Sequence, residues 1–213
     1  RKKHGNHPRN RNIQKSKKKI NSINKLMYNI DPYYIRITKK SLNLPEPIFN
    51  APISVDMGSY QRSIYNFIEQ DFLNTDYDKF DEELQLELKK AKLIRLMQAL
   101  TNPLAICKSI RKEEFNNSQM YDLICNYEDY EIPIKYKEAG QLINSLINEN
   151  GKVIVWTQFV HNMIGFKKYL KKINIKAELL YGETKNSDRE TIINEFHNNF
   201  NKNVIIANPA AVA

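Results

Sequence analysis

The run Asn203-Val204-Ile205-Ile206-Ala207 constrains the fold of this chain more than any other stretch. An unbroken set of apolar, mostly β-branched residues predicts a strand covered on both faces, the environment of a parallel sheet. Ligands of open α/β sheets sit in the loop that leaves the carboxyl end of such a strand. Here that loop is Asn208-Pro209-Ala210-Ala211-Val212-Ala213, and the sequence ends within it. The expectation is a piece of a larger protein divided inside a functional motif, with strand 203–207 left with an unpaired edge.

The pattern upstream is of the same kind. Lys152-Val153-Ile154-Val155-Trp156-Thr157 is a short apolar run, with Trp156 expected in the core. A helical stripe follows at Phe159, Met163, Phe166, Leu170 and Ile173. Lys176 to Tyr181 predicts a second strand ending at Gly182. Ser187 with Glu190 has capping-box spacing, and Ile192, Ile193, Phe196 and Phe200 supply an apolar helix face. Strand, helix, strand, helix, strand with short loops implies a parallel α/β sheet.

The net charge of +9 is unevenly placed. Residues 1–40 hold thirteen Lys/Arg against the single acid Asp31, a balance of +12, while the remainder is slightly acidic. Such an arm can follow a phosphate backbone through counterion release, or it is a solvated lysine-rich surface. No run of about 18 apolar residues is present, which excludes a membrane-spanning helix. The basic first residues lack the apolar segment of a secretory signal. Cys107 and Cys125, far apart in sequence, fit separate thiols in a reducing, cytoplasmic compartment and give no metal-site spacing.

Between arm and sheet the chain reads as mainly helical. Ile20, Ile23, Leu26, Met27 and Ile30 have helical spacing, ended by Asp31-Pro32; Tyr33 to Thr38 reads as extended, and Ile48 to Met57 as a strand. Ser59 is positioned to cap a helix carrying Ile64, Tyr65, Ile68 and Phe72. Asp81-Glu82-Glu83 opens a long helix, with acids at the positive end of its dipole and Leu86, Leu93, Leu96, Met97 and Leu100 on its apolar face. Asn102-Pro103 ends it. Residues 111–136 predict a linker with one short helix, where the tyrosines at 127, 130 and 136 are read as packing groups in preference to base-stacking ones. Leu142, Ile143, Leu146 and Ile147 mark the helix before the sheet. The implied organisation is 1–40, 41–130 and 131–213.

Four stretches in order resemble the Swi/Snf-like branch of superfamily-two helicases. Ile35-Arg36-Ile37-Thr38-Lys39-Lys40 with Leu44-Pro45 looks like that family's Arg-x-Thr-Lys segment and its Leu-Pro. Leu96-Met97-Gln98-Ala99-Leu100-Thr101-Asn102-Pro103 is similar to its Leu-x-Gln-x-x-x-x-Pro helix end. Val153-Ile154-Val155-Trp156-Thr157-Gln158-Phe159 resembles motif IV, which opens the second RecA-like lobe. Tyr181-Gly182-Glu183-Thr184, with Arg189 and Phe196, is similar to the Gly-x-Thr…Arg…Phe pattern, and Asn208-Pro209-Ala210-Ala211 falls where motif V begins.

The resemblance implies a RecA-like fold preceded by the end of the first lobe and a helical insertion. It also implies an ATP- and magnesium-dependent parent that moves along DNA, duplex in preference to single strands. The remaining partners would be the other lobe and the rest of this one. The phosphate-binding Gly-x-x-x-x-Gly-Lys-Ser/Thr loop and the Asp-Glu-x-His magnesium motif do not occur in these 213 residues. The motif VI arginines would lie past Ala213, and Asn208-Pro209 stands where the family more often has a hydroxyl. Phosphoryl transfer needs those charges, so the expectation is that this chain alone binds no ATP or metal and has no catalytic residue.

Nucleic-acid contacts are then sought at Gln158, Gly182, Thr184, Arg189, Asn208, Arg36 and Lys39. Each has a second reading. Gln158 could tie a neighbouring loop, and Gly182 could be a turn glycine. Arg189, a cation in the first turn of a helix, could pair with Glu190 or Glu195. Asn208 could cap its own loop, and Arg36 and Lys39 could be surface charges. Two other functions compete: a restriction-type superfamily-two helicase, and a non-catalytic α/β module that binds nucleic acid or protein.

Overall fold

A computed structural model describes residues 19–29, 42, 44–108 and 117–211. The chain divides into two compact units, 1–52 and 53–213. In the first, α1 spans 19–29 and carries Ile20, Ile23, Leu26 and Met27, all exposed. Arg36, Lys39, the Tyr33–Thr38 segment and the Asp31-Pro32 stop lie outside the described residues. The strand expected from Ile48 to Met57 is not formed, and Ile48, Phe49 and Ile53 are exposed. Pro52 removes a ladder donor inside that run.

The second unit begins with helices. α2 (Ser59–Leu73) buries Gln61, Ile64 and Ile68 against α3 (Glu82–Thr101). Its N-cap is Gly58, one residue before the Ser59 expected. A carboxylate from 70 positions away supplies the missing acceptor: Glu131 Oε2 takes the Gln61 N–H at 2.9 Å. Gln61 also donates through Nε2 to the Ala99 carbonyl at 2.7 Å, pinning α2 to α3. α3 starts as its acids predict, with Asp81 accepting from the Leu84 N–H. Its inward face matches expectation only in part: Leu96 packs against the core beside buried Gln98 and Ala99, whereas Leu86, Leu93 and Met97 are exposed. Lys92 lies on that side and bonds Asp71 at 2.6 Å.

After Asn102-Pro103 come α4 (Leu104–Cys107), α5 (Ser118–Cys125) and α6 (Tyr127–Tyr130). The described part of the expected linker is therefore largely helical. Ile106, Ile124 and a fully buried Tyr127 close a core with Ile64, Ile68 and Ala99. Tyr130 is exposed and stacks on Tyr60. Cys107 and Cys125 form a disulfide, which corrects their reading as separate thiols. The docking of α4 on α5 brings together residues 18 apart, and the reducing-compartment argument drawn from their spacing loses its basis.

α7 (Ile134–Asn148) then leads into β1 (Val153–Trp156), α8 (Val160–Lys172), β2 (Glu178–Leu180), α9 (Asn186–Asn198) and β3 (Val204–Ala207), with a 3-10 turn at Pro209–Ala211. All pairings are parallel and the order is β1-β3-β2. β3 is central and buried at every position, so the expected unpaired edge at 203–207 is overturned. Alternation along β3 divides the core. Val204 and Ile206 join Ile143, Met163, Phe166 and Leu170 of α7 and α8; Ile205 and Ala207 join Leu180 and Phe196.

β1 is an edge strand. Its Val153 and Val155 pack toward the first cluster, while Ile154 and Trp156 point the other way and are exposed. Trp156, expected in the core, is 53% exposed. It lies level with Ala207, on the face where α9 packs against β2. The capping box at Ser187 is likewise not formed. α9 begins at Asn186 after Lys185, without a side-chain cap, and the Ser187 hydroxyl bonds Asp188 instead.

Candidate nucleic-acid interface

The three strands end level, with Trp156, Ala207 and Leu180 in register. The segments that leave them are stitched into one rim. The Thr157 N–H donates to the Ala207 carbonyl and the Asn208 N–H to the Leu180 carbonyl, both at 3.0 Å. Asn208 does more with its side chain. Its Nδ2 donates to the Gln158 carbonyl at 2.8 Å, and its Oδ1 accepts the Ala210 N–H at 2.9 Å. One asparagine thus holds the β1 exit and starts the turn after β3. The Oδ1 bond is the loop cap that the sequence allowed for Asn208, and the Nδ2 bond adds a tie to the β1 exit.

Thr184 and Arg189 build the segment after β2. Thr184 Oγ1 accepts the Tyr181 N–H at 3.1 Å, closing a tight turn over Gly182 and Glu183. Arg189 donates through Nε to the Thr184 carbonyl at 2.8 Å and through Nη2 to the Tyr181 carbonyl at 2.9 Å. Its Nη1 reaches the Ala211 carbonyl at 2.6 Å. Main-chain oxygens, not Glu190 or Glu195, are the partners of this cation. The first-turn position, unfavourable for a charge facing the helix dipole, is explained by these carbonyls.

Gly182 differs from an ordinary turn glycine. Its φ is not positive, and a Cβ built on it would meet nothing within 4 Å. Neither backbone conformation nor close packing within the chain asks for glycine there. Gln158 is exposed after β1, on the far side of β3 from Gly182, and Pro209 and Ala210 are exposed on the turn between them. The structure therefore brings Gln158, Gly182, Thr184, Arg189 and Asn208 together at the carboxyl end of the sheet. Arg36 and Lys39 lie outside the described residues.

Residues that the sequence reading passed over lie behind the rim. Tyr136 OH accepts from Asn102 Nδ2 at 3.1 Å and reaches Asn162 Oδ1 at 2.8 Å, and Asn162 Nδ2 donates to Thr157 Oγ1 at 2.8 Å. Burial pushes the Tyr136 phenol well above its ordinary range, so it stays protonated. Asn102 was legible only as a helix stop; no local signal pairs it with Tyr136.

A magnesium–triphosphate does not fit the described residues by themselves. No group of three His, Cys, Asp or Glu capable of holding a metal occurs among them, and the rim's guanidinium, Arg189, is engaged by carbonyls. No step is assigned to ATP here.

Residues 135–211 match the helicase conserved C-terminal domain family. No curated protein is a match for the sequence. Among solved structures, the Sulfolobus solfataricus SWI2/SNF2 ATPase C-terminal domain is 20% identical with a TM-score of 0.52, over 70% of this chain and 57% of that one. The SWI2/SNF2 ATPase core from the same organism, solved with double-stranded DNA, is 19% identical with a TM-score of 0.54, over 72% of this chain and 29% of that one. The C-terminal part of the Fun30 ATPase domain is 17% identical with a TM-score of 0.50, over 72% and 65%. The chain thus spans less than two thirds of each of these proteins. Residues 135–211 thus resemble a helicase conserved C-terminal domain, and the chain shares its fold with the SWI2/SNF2 ATPase C-terminal domain.

Proposed function

We propose that this chain serves an ATP-dependent DNA translocase, supplying the rim through which the second lobe holds a duplex. The carrying observation is the level strand-end rim with Gly182 open on it. A glycine required by neither its φ nor its neighbours suits close approach by an outside backbone, and phosphate is the group that main-chain donors on such a rim recognise. In this reading Gln158, Gly182 and Thr184 meet phosphate, while Arg189 and Asn208 shape the rim. Arg36 and Lys39 add charge from the basic arm. The double-stranded DNA in the related Sulfolobus structure supports duplex over single strands as partner.

ATP and magnesium would be held with groups from the first lobe and the rest of the second, not by this chain alone. We assign 1–40 to the arm and the end of the first lobe, 41–130 to the helical insertion, and 131–213 to the second lobe. The family match over 135–211 supports the last assignment. No described helix is long and apolar enough to cross a membrane. With DNA as partner the protein belongs in the cytoplasm; fractionation followed by detection of the protein tests this.

Gly182→Glu is the direct test of the rim, because open space lets the fold accept it. Duplex affinity measured by fluorescence anisotropy should fall for this variant while its melting temperature holds. Binding should also weaken with salt, by about 0.9 log units per phosphate contact for each tenfold rise, and should weaken when residues 1–19 are deleted. Unchanged affinity in Gly182→Glu would remove the rim from the DNA interface.

A further inference from the structure

We infer that Tyr136 is a positioning residue for the rim, holding the β1 exit in register with the helical segment through a one-way chain of buried hydrogen bonds. Only the DNA consequence of this inference rests on the reading above. The chain begins at Asn102, the C-cap of α3, whose Oδ1 accepts the Leu104 N–H and whose Nδ2 donates to Tyr136. The Tyr136 hydroxyl has one proton to give, and Asn162 offers two acceptors for it, Oδ1 at 2.8 Å and the main-chain carbonyl at 3.0 Å. The Asn162 amide then donates to Thr157 Oγ1. Each group is satisfied by the one before or after it.

Three features separate this chain from incidental packing. Asn102, Tyr136 and Asn162 are 2%, 5% and 8% exposed, so an unmatched polar atom at any link would be costly. The links lie on α3, α7, α8 and the β1 exit, elements with no local sequence relationship. Room has also been made for them. A Cβ at Gly165, in the middle of α8, would stand 2.8 Å from the Tyr136 hydroxyl oxygen and 3.2 Å from Asn102 Nδ2. Glycine in a helix interior is otherwise unfavourable, and here it seats the hydroxyl. Packing alone would need a phenylalanine, not a tyrosine.

The β1 exit is thereby gripped from two sides. Asn162 holds the Thr157 side chain and Asn208 holds the Gln158 carbonyl. A cavity of about 180 Å³ bordered by Tyr136, Thr157 and Lys135 lies beside the first grip, so Thr157 has space to shift once the tether is cut. Movement of α3 relative to α8 would then be felt at Gln158.

Amide hydrogen exchange on the full chain tests this without assuming any ligand. In Tyr136→Phe, exchange at the Thr157 amide, bonded to the Ala207 carbonyl, should speed up about 5-fold, the factor of roughly one net hydrogen bond. Gly165→Ala, which crowds the hydroxyl while keeping it, should do the same. Tyr127→Phe removes a part-buried hydroxyl that faces Glu131 and should leave the Thr157 amide unchanged. No change in Tyr136→Phe, or an equal rise in Tyr127→Phe, overturns the inference, and Gly165→Ala decides it should Tyr136→Phe fail to fold. Duplex affinity measured in parallel should fall by a similar factor. Faster exchange with unaltered affinity upholds the positioning role and removes the rim from DNA binding.

Discussion

Arg189 and Ala211 are joined by a 2.6 Å bond from Nη1 to the carbonyl, and the same guanidinium holds the carbonyls of Tyr181 and Thr184. One side chain from α9 therefore fastens the segment after β2 to the turn after β3. Arg189→Lys keeps the charge but loses the planar fork. It should lower stability by about 2 kcal/mol, in line with the loss of charge-assisted hydrogen bonds, and Arg189→Ala should be no better. Urea denaturation of the three proteins reads this; equal midpoints would show that the clamp contributes nothing.

Glu131 and Gly58 form a second dependence. The Glu131 carboxylate caps α2 from outside its own helix, and a Cβ at Gly58 would fall 1.4 Å from its Oε1. Gly58→Ala should expel the carboxylate and leave the Gln61 N–H without its acceptor. Loss of a cap costs about 1 kcal/mol, and Glu131→Ala should cost a similar amount. The double variant should be no worse than either alone, because both remove one interaction. Additive losses in thermal melts would sink this account.

The Cys107–Cys125 bridge closes a stretch with a sequence separation of 18. Restricting a loop of that size in the unfolded chain stabilises the fold by about 3 kcal/mol. Reduction should therefore lower the denaturation midpoint and speed exchange in α4 and α5, with little change at β3. A midpoint indifferent to dithiothreitol, with thiols confirmed free, would show that helix packing alone holds this segment.

Trp156 is the sole tryptophan, which makes its exposed setting on the edge strand easy to read. Its emission should lie near that of solvated indole and be readily quenched by acrylamide. Trp156→Thr should cost under about 1 kcal/mol, as expected for a surface position. Ile206→Ala, at a fully buried central position, should cost about 2–5 kcal/mol. A blue-shifted, quencher-resistant Trp156 would mean that this face is covered in solution.

Much of the sheet was legible because its signals are local. Four consecutive buried positions at 204–207, the Met163-Phe166-Leu170 stripe and the Asp81 cap each follow from neighbours within a turn or two. The errors share a cause. Trp156 and the supposed free edge of β3 were misjudged because strand order sets which edge is covered, and a strand's own residues do not encode its neighbours. The inward face of α3 was only partly legible for the same reason: α2 packs over Gln98 and Ala99, where Gln61 donates to the Ala99 carbonyl.

By itself the sequence determined a parallel α/β unit behind helices, and named Gln158, Gly182, Thr184, Arg189 and Asn208 only as candidate contacts near its strand ends. Periodicity and short loops act over a few residues, and parallel strands must deliver their exits to one end of the sheet. Tertiary structure decided what each rim residue does. Arg189 turned inward to carbonyls, Asn208 became a tie, and Asn102, Tyr136 and Asn162 met behind them. Those partners lie 22 to 50 positions apart, and only packing brings groups so distant in sequence to hydrogen-bonding separation.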